Sequence, residues 1–354
     1  KTVSFRKTDD FYFVKRSDGT YEVKLCLAKG DVVIPSEYGG IPVTRISDSF
    51  RSNSLLNNVN HMGKITVSEG IKEIGDSAFY NHKYDIVLPE SITKIGKKAF
   101  ESVKGNVNIP SSVENIGDYG FYNSDVSNVV LPEGVKKIGS YAFSGCNNIE
   151  AIDLNLNSVS FGSYVFADCT GIRSVNIGEN VTSLGKYMFS NCESLCEITG
   201  CDGITKISDG AFSGCVSLEK ANFISQLTEI GSYAFYNCTK LSEIKLSDSI
   251  VKIKDYSFYG CDEVKEIKFP ESVTEIGEYA FYHCSSIEKI TFAGNLKVIR
   301  RNAFSYTAIK QIDLPDSVKT MERSCFSYCR QLGEFTLPEK ITTVPDFAVS
   351  GCSA

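Results

Sequence analysis

The chain has 354 residues, of which 42% are hydrophobic and 23% are charged, and its formal net charge is −6. This is the composition of a folded protein, and its acidic balance argues against a sequence-independent grip on nucleic acid phosphates or docking on an anionic membrane surface. No apolar run approaches the roughly 20 residues that a membrane-spanning helix needs, so we expect no direct membrane insertion.

The first 30 residues differ from the rest of the chain. Two β-prone runs, at 11–16 and 21–25, flank a turn that contains an Asp-Gly pair. An Asp-Gly pair between such runs predicts a β-hairpin. We interpret residues 1–30 as a hairpin cap that shields the edge of the first repeat. No signal peptide is visible, and because the chain starts at Lys1 rather than Met we expect that an N-terminal segment has been removed.

Residues 31–354 are dominated by an internal repeat, which we interpret as one solenoid domain continuous with the cap. A Phe marks the same slot in successive copies, and Val349 takes that slot in the last of about fourteen. The spacing is an unbroken 23 residues from Phe143 to Phe304. One copy cannot bury its apolar face alone, but stacked copies form a continuous core. The marker residues are Phe50, Phe79, Phe100, Phe121, Phe143, Phe166, Phe189, Phe212, Phe235, Phe258, Phe281, Phe304 and Phe326.

The copy at 238–258 shows what each part of the repeat predicts. Its pattern Leu-x-x-Ile-x-Leu at 241–246 predicts a short strand with one buried face. In many copies a Pro follows this strand, where it ends the ladder and turns the chain. A second apolar pair, here Ile250 and Ile253, predicts a short extended segment that faces the same core.

Two corners and a turn complete each copy. A Gly column after the second segment predicts a corner that needs a positive φ or a close approach of two backbones. The segment that follows, such as 278–281, is too short for a free helix, so we expect one helical turn held by its Phe. Two residues after that Phe, a column of Asn, Gly and Asp predicts a left-handed return corner. The corner glycines are Gly75, Gly96, Gly117, Gly139, Gly185, Gly231 and Gly277.

Taken together, these columns resemble the BspA-like class of leucine-rich repeats. In that class a strand leads into Leu-Pro, a second segment ends in Ile-Gly, and Ala-Phe-x-x-Cys follows. The resemblance covers residues 31–354 and departs at His82, Val103, Ser124 and Thr307, which stand in the Cys column. It implies an α/β solenoid, a right-handed leucine-rich-repeat superhelix of about fourteen rungs of about 23 residues. A parallel β-sheet is expected on its concave face, with short extended segments and helical turns elsewhere.

The resemblance also implies a location and a function. Members of the class are typically surface or secreted proteins of bacteria and some protozoa, and several are considered adhesins toward host matrix proteins or other cells. We therefore expect an extracellular or cell-surface, non-enzymatic module that binds a protein or a glycan of the host extracellular matrix or of another cell surface. The alternative is a structural spacer or self-assembling rod, because no C-terminal cap is evident before Ala354 and an open sheet edge invites pairing.

The sequence predicts no catalytic, cofactor or metal site. The histidines His61, His82 and His283 lie in different copies, so repeat register does not bring one of them beside a nucleophile. There is no Gly-rich phosphate loop, no CxxC pair of the zinc-site type and no calcium-binding nonapeptide. We therefore expect no enzyme activity and no cofactor.

Nine of the thirteen cysteines share one column, three residues after the Phe slot. We interpret this column as a buried ladder of small apolar side chains, although adjacent rungs would also lie near the roughly 4.4–6.8 Å Cα range of disulfides. Cys201 falls just past a strand at an outward position and is predicted to be the most exposed thiol. The column holds Cys146, Cys169, Cys192, Cys215, Cys238, Cys261, Cys284, Cys329 and Cys352.

Two surfaces are candidates for binding a partner. Tyrosines on either side of the Phe slot are expected on the convex side, where stacking between rungs is favoured over a role in an interface. Outward strand positions on the concave face are polar and mixed in sign, and diagonal Glu–Lys contacts are expected there. An ordinary solvated sheet face is the competing interpretation. The concave-face residues predicted to bind a partner are Lys220, Asn222, Glu243, Lys245, Glu266, Lys268, Lys289 and Thr291.

Overall fold

A computed structural model describes residues 5–8, 10–50, 62–222 and 226–353 of the chain. The chain forms two compact units, Lys1–Gly171 (unit 1) and Ile172–Ala354 (unit 2). Turns of a β-solenoid with parallel strands, about 13 in all, build these units, which confirms the predicted fold class. Within the described ranges there is one helix, a 3-10 helix at Cys201–Gly203. The division at residue 30 between a cap and the solenoid stays a prediction.

Unit 1 opens with an antiparallel hairpin and continues with short strands. The described strands of unit 1 are β1 (Phe5–Lys7), β2 (Phe11–Lys15), β3 (Tyr21–Cys26), β4 (Gly30–Ile34), β5 (Glu37–Tyr38), β6 (Ile41–Ile46), β7 (Met62–Val67), β8 (Glu73–Ile74), β9 (Ile86–Val87), β10 (Lys94–Ile95), β11 (Asn115–Ile116), β12 (Lys137–Ile138), β13 (Ala151–Asp153) and β14 (Ser160–Phe161).

Two parallel ladders run through unit 1. The strands β2 and β3 pair antiparallel around Gly19, which has a φ of 90°, as the Asp-Gly signal predicts. Next, β3 pairs in parallel with β6, and this ladder continues through β8, β10, β11, β12 and β14. The other ladder joins β4, β7 and β9. The hairpin therefore lies along the first edge of the longer ladder.

Unit 2 repeats the same two kinds of strand. The described strands of unit 2 are β15 (Ser174–Asn176), β16 (Glu197–Thr199), β17 (Lys206–Ile207), β18 (Lys220–Asn222), β19 (Glu229–Ile230), β20 (Glu243–Lys245), β21 (Lys252–Ile253), β22 (Glu266–Phe269), β23 (Glu275–Ile276), β24 (Lys289–Phe292), β25 (Val298–Ile299), β26 (Gln311–Asp313), β27 (Thr320–Met321) and β28 (Glu334–Thr336).

The longer ladder of unit 2 is made by the second apolar segments. It runs through β17, β19, β21, β23, β25 and β27. The first segments, to which the sequence analysis assigned the main sheet, pair more locally as β15–β16, β18–β20, β22–β24 and β26–β28. Pro270, Pro315 and Pro338 follow three of these first strands, and Pro cannot donate to a ladder, so the pairing ends there.

The core of both units is a column of phenylalanine rings. The marker rings are fully buried. Phe50 meets Phe79 edge-to-face, and stacked pairs follow from Phe79 and Phe100 onward. In unit 1, the ring centroids of Phe121 and Phe143 are 5.1 Å apart at 4° between planes. In unit 2, Phe258 lies 5.2 Å from Phe235 and 5.1 Å from Phe281. Burial of each ring contributes roughly 1.5–3 kcal/mol, so the column is the main apolar contribution of every turn.

The segment around each Phe does not form the helical turn that the sequence predicts. The N–H groups of Tyr119, Phe121 and Asn123 donate to carbonyls of the next turn at 2.7–2.8 Å, while the intervening N–H groups close i→i−3 turns. Tyr119 and Asn123 are left-handed, with φ of 57° and 52°. A left-handed residue breaks the run of equal dihedrals that a helix requires, so alternate amides are free to bond the neighbouring turn.

The structure agrees fully with the prediction for one of the two corners and selects one of the two predicted reasons for the other. The return corner two residues after Phe is left-handed, as predicted, for example at Asn81 and Gly145. The Gly column has no positive φ; instead, a Cβ at Gly96 would lie 2.7 Å from the carbonyl carbon of Gly75. Close approach of two turns, the second of the two predicted reasons, therefore explains that column.

Candidate binding surfaces

The structure brings the predicted partner-binding residues together on one face of unit 2. They lie on β18, β20, β22 and β24, the first strands of four successive copies. Lys220 is paired in register with Glu243, Asn222 with Lys245, and Glu266 with Lys289. Lys220, Lys245, Lys268, Lys289 and Thr291 have exposed side chains, and Glu243 is half-buried. We name these eight positions the first-strand face.

Ion pairs neutralise much of the first-strand face. Lys245 Nζ lies 2.8 Å from Glu243, and Lys268 Nζ lies 3.6 Å from Glu266 along the same strands. Lys289 Nζ reaches Glu266 at 3.3 Å directly across the ladder. The expected diagonal contacts are therefore wrong. Two ion pairs join residues of the same strand, because Glu and Lys stand two residues apart there, and the third joins two residues that are directly opposite each other.

The hydrogen bond from Lys245 also has an electrostatic consequence. It lowers the pKa of the Glu243 carboxyl below its ordinary value, because the ammonium group stabilises the charged form. The rings of Phe269 and Phe292, which end β22 and β24, stack at 5.2 Å and contact the core ring of Phe304, so they lie on the opposite side of these strands. The face thus offers charges that are largely paired within it.

Unit 1 presents exposed valines, two of them in the strands β4 and β9 and one outside any strand. Val33, Val87 and Val130 are 64%, 39% and 76% exposed. Val33 and Val87 both pair in register with Thr66, one from each side. These residues were not predicted from the sequence, although a signal was present: the apolar run is continuous around Val87 and around Val130, in place of the apolar–polar alternation of other copies.

The tyrosine columns stack as predicted. In unit 1 the ring of Tyr141 lies 4.9 Å from Tyr119 and 4.7 Å from Tyr164. In unit 2 Tyr256 stacks at 4.8 Å on both Tyr233 and Tyr279. Burial, followed by the neighbouring phenols, raises the pKa of Tyr256. Because ring faces are used by stacking, these tyrosines present mainly their edges to solvent.

The second segments carry a row of exposed lysines that sequence reasoning missed. In unit 2, Lys206 and Lys252 take the outward strand position, Lys297 and Lys319 stand one residue before the equivalent position in their copies, and all four are exposed. The signal was present: in several copies Lys stands directly before the inward Ile, as in Lys94-Ile95 and Lys252-Ile253. The apolar pattern of the second segment predicts only the side chains that this segment buries, and it does not predict the lysines between them.

The cysteine column is a buried ladder, as predicted. The prediction that Cys201 is the most exposed thiol needs a correction. Its members are free thiols and are buried, apart from the half-buried Cys352. Outside the column, Cys196 is exposed whereas Cys201 is only half-buried, so the prediction for Cys201 is wrong. Cys201 begins the 3-10 helix, which folds its side chain inward, and burial raises its pKa to about 12. Cys196 directly precedes strand β16 and faces outward.

Among the described residues, the side chains that could ligate a metal ion lie apart from one another. No group of three or more His, Cys, Asp and Glu side chains there is arranged to hold a metal ion. His82 is buried with Nε2 3.1 Å from the Gly63 carbonyl, and His283 Nδ1 lies 3.4 Å from Asp262. His61 lies outside the described residues. In the same ranges, no helix is long and apolar enough to cross a membrane.

Comparison with known proteins identifies related sequences and folds. The model of the BspA-type leucine-rich repeat region matches residues 47–117, 72–196, 159–263 and 228–354. Among curated protein sequences, none matches this chain.

Three solved structures show the same fold. A leucine-rich repeat protein from Bacteroides ovatus is 24% identical with a TM-score of 0.80, over 98% of this chain and 92% of that protein. A leucine-rich cell surface protein from Faecalibacterium prausnitzii is 24% identical with a TM-score of 0.50, over 99% and 93%. The pneumococcal vaccine antigen PcpA is 19% identical with a TM-score of 0.55, over 96% and 93%.

Proposed function

The chain belongs to the BspA-type leucine-rich repeat family, and on that premise we propose that it is a non-enzymatic binding module of a cell-surface or secreted protein. Proteins of this family are repeat modules that bind other proteins. The proposed role is adhesin-like, with a protein or glycan of a host matrix or of another cell surface as the partner. The description of the Faecalibacterium relative as a cell surface protein supports the location.

The observation that carries this proposal is the first-strand face of unit 2. Its strands belong to four successive copies and pair two by two, with Lys220 in register with Glu243 and Glu266 with Lys289. Solenoids commonly use such extended surfaces to bind a partner. Because Lys245, Lys268 and Lys289 already pair with glutamates of the face, a ligand that competes for these pairs is selected by charge pattern rather than by net charge.

Binding to an array of extracellular matrix proteins and neutral glycans tests the proposal. The first-strand quadruple variant, Lys220→Gln, Lys245→Gln, Lys268→Gln and Lys289→Gln, is expected to weaken binding at least tenfold. A matched variant, Lys206→Gln, Lys252→Gln, Lys297→Gln and Lys319→Gln, removes the same number of charges from the second segments and is expected to retain binding to that partner. Absence of any binding by the wild-type chain would overturn the proposal.

The exposed valines of unit 1 favour a second candidate, a self-assembling structural rod. Val33 and Val130 are more than half exposed, and apolar groups in that position are stabilised when a second copy covers them. Light scattering after size-exclusion chromatography separates the candidates. A concentration-dependent oligomer that Val33→Ser and Val130→Ser abolish supports self-assembly, whereas a monomer at all concentrations rejects it.

A further inference from the structure

The second segments of unit 2 form a surface with an excess of positive charge in a protein whose net charge is −6. Lys206, Lys252, Lys297 and Lys319 are exposed on it, and none has an ion pair with a described residue. We name these four residues the lysine face. Lys297 and Lys319 are neighbours across adjacent turns, since Val298 pairs in register with Thr320.

Carboxylates on this surface already have partners within it. Glu229 lies between Lys206 and Lys252 in the ladder, and Lys254 Nζ binds it at 2.7 Å. That hydrogen bond lowers the pKa of Glu229, which therefore stays charged and paired. Arg300 holds Glu275 at 2.5 Å and Arg301 holds Glu278 at 2.9 Å, while Asp255 accepts the Glu278 N–H at 2.8 Å. The four lysines remain without ion pairs among the described residues.

A groove runs beside Lys252. Its volume is about 390 Å³, and its charged lining consists of the cations Lys252, Lys254 and Arg300 and the carboxylates Asp255, Glu275 and Glu278. Gly277 also lines it, and a Cβ there would lie 2.5 Å from the Lys254 carbonyl carbon, so the two turns pack closely at this corner. A chain-like ligand can lie in the groove beside Lys252.

Unit 1 has the same arrangement at the same repeat positions. Lys94, Asn115 and Lys137 are consecutive in register, and they line a groove of about 480 Å³. Two aspartates in that groove, Asp76 and Asp118, each accept a backbone N–H of the next turn, at 2.8 and 2.9 Å. In both units, therefore, two lysines lie two turns apart with a neutral or neutralised residue between them.

We propose that the lysine face binds an acidic polysaccharide that carries one carboxylate per disaccharide, lying along the ladder. Neighbouring strands are about 4.8 Å apart, so Lys206 and Lys252 are separated by about 10 Å. This separation is comparable to the length of a disaccharide in an extended chain. Lys206 and Lys252 then each meet one carboxylate, the groove at Lys252 accommodates a sugar ring, and Lys297 and Lys319 add positive charge farther along the same surface.

The spacing favours this ligand over nucleic acid. Duplex DNA carries one charge per about 1.7 Å of axis, far denser than the roughly 10 Å between Lys206 and Lys252. The net charge of −6 adds a general repulsion that a weakly charged, carboxylated chain suffers less than a dense polyanion. The inference rests on the proposed binding function but assigns it a second surface with its own ligand.

The test measures the affinity of the full chain for hyaluronan oligosaccharides, which have one carboxylate per disaccharide. The lysine-face quadruple variant, Lys206→Gln, Lys252→Gln, Lys297→Gln and Lys319→Gln, is expected to bind at least tenfold more weakly than wild type. The first-strand quadruple variant removes equal charge and is expected to change affinity less than twofold. Carboxyl-reduced hyaluronan is expected not to bind, and added salt is expected to weaken the wild-type complex because it screens exposed charges.

Several outcomes overturn the inference. Equal losses in both quadruple variants would show that net charge alone attracts the polymer. Poly-glutamate binding as tightly as hyaluronan, with the same sensitivity to the lysine-face variant, would make the partner an acidic protein instead. Wild-type chain that binds a matrix protein through the first-strand face but no hyaluronan would reject this inference and leave the proposed function standing. Circular dichroism of both variants confirms that they are folded.

Discussion

At the residue scale, the cysteine column combines a small buried side chain with a hydrogen-bond donor. Cys238 Sγ donates to the Phe212 carbonyl of the preceding turn at 3.1 Å, and that oxygen also accepts the Cys215 N–H at 3.2 Å. In copies without Cys, the hydroxyls of Ser124 and Thr307 donate to the Phe carbonyl of their own copy, at 2.6 and 2.9 Å. In these copies the slot holds a small side chain that donates, as Cys, Ser and Thr all do, whereas Val103 and His82 fill it in two copies of unit 1 without this bond to the Phe carbonyl.

Replacing one of these thiols tests both contributions. Cys238→Ala removes a buried sulfur and its weak hydrogen bond, and we expect a loss of about 1–2 kcal/mol of stability. Cys238→Ser keeps the donor and is expected to lose less. The midpoint of urea unfolding followed by circular dichroism measures both effects, with the exposed Cys196→Ala as the control of unchanged stability. A Ser variant less stable than the Ala variant would contradict the donor role.

The thiols should also differ in reactivity. Cys196 is exposed, and the hydrogen bond with Cys329 lowers the pKa of Cys352 to about 7, which favours its reactive thiolate. Burial raises the pKa of Cys201 to about 12. With limiting iodoacetamide at pH 7.5, peptide mass spectrometry should find Cys196 and Cys352 alkylated before Cys201. If Cys201 is labelled first, its thiol is more accessible to the reagent than its half-buried position in the 3-10 helix implies.

At the element scale, a cluster of charges ties the N-terminal hairpin to the first solenoid strands. Arg45 on β6 binds Glu22 on β3 at 2.8 Å and approaches Glu73 on β8 at 3.4 Å. It also pairs with Asp48, whose carboxylate accepts the Asp76 N–H at 2.8 Å. One guanidinium thus contacts carboxylates from three neighbouring elements, which fixes the register of the hairpin on the ladder.

The pH dependence of stability tests this cluster. Desolvation opposes the charged form of Asp48, but the Asp76 N–H and Arg45 outweigh it and lower its pKa. A carboxyl with a lowered folded pKa adds stability above its unfolded pKa of about 3.9, and that stability is lost as pH falls through the folded pKa. Asp48→Asn should therefore lower the urea midpoint at pH 7 and leave it nearly unchanged at pH 2.

A matched substitution separates this effect from a general change of charge. Asp316 is an exposed carboxylate in unit 2, and Asp316→Asn should leave the urea midpoint unchanged at both pH values. If Asp48→Asn lowers the midpoint equally at pH 7 and pH 2, the loss comes from packing or backbone hydrogen bonding rather than from the charge of Asp48.

At the scale of the whole molecule, each turn depends on its two neighbours. The ring of Phe258 lies between Phe235 and Phe281, and alternate N–H groups of each turn donate to the next turn. In such an array, stability is approximately the sum of turn and interface contributions. Unit 2 also separates its surfaces by chemistry: self-paired charges on the first strands, unpaired lysines on the second segments, and stacked tyrosines beside the Phe column.

Deletion of one core ring should therefore act locally within unit 2. Phe258→Ala should cost about 3–5 kcal/mol, because it leaves a cavity between two rings. Hydrogen exchange read by mass spectrometry should show the largest loss of protection in the turns of Phe235, Phe258 and Phe281. Protection should recover toward strand β15. A uniform loss across unit 2 would indicate that unit 2 unfolds as a single cooperative block instead.

The sequence by itself determined the solenoid and its core, because these depend on local spacing. The Phe column, the buried thiols, the left-handed return corner at Asn81 and the stacking of tyrosines all follow from identical residues recurring at a fixed period. Identical turns place identical side chains side by side, so one periodicity specifies both the strand and its neighbour.

Only the tertiary structure decided which side chains meet across turns and which remain available. The exposure of Cys196 rather than Cys201 depends on a 3-10 helix that replaces the usual turn in one copy. The left-handed tyrosines replace the expected helical turn because their amides bond to the next turn. Whether a lysine such as Lys252 lacks a partner depends on distances to carboxylates in neighbouring turns, and a repeat pattern read one copy at a time does not contain those distances.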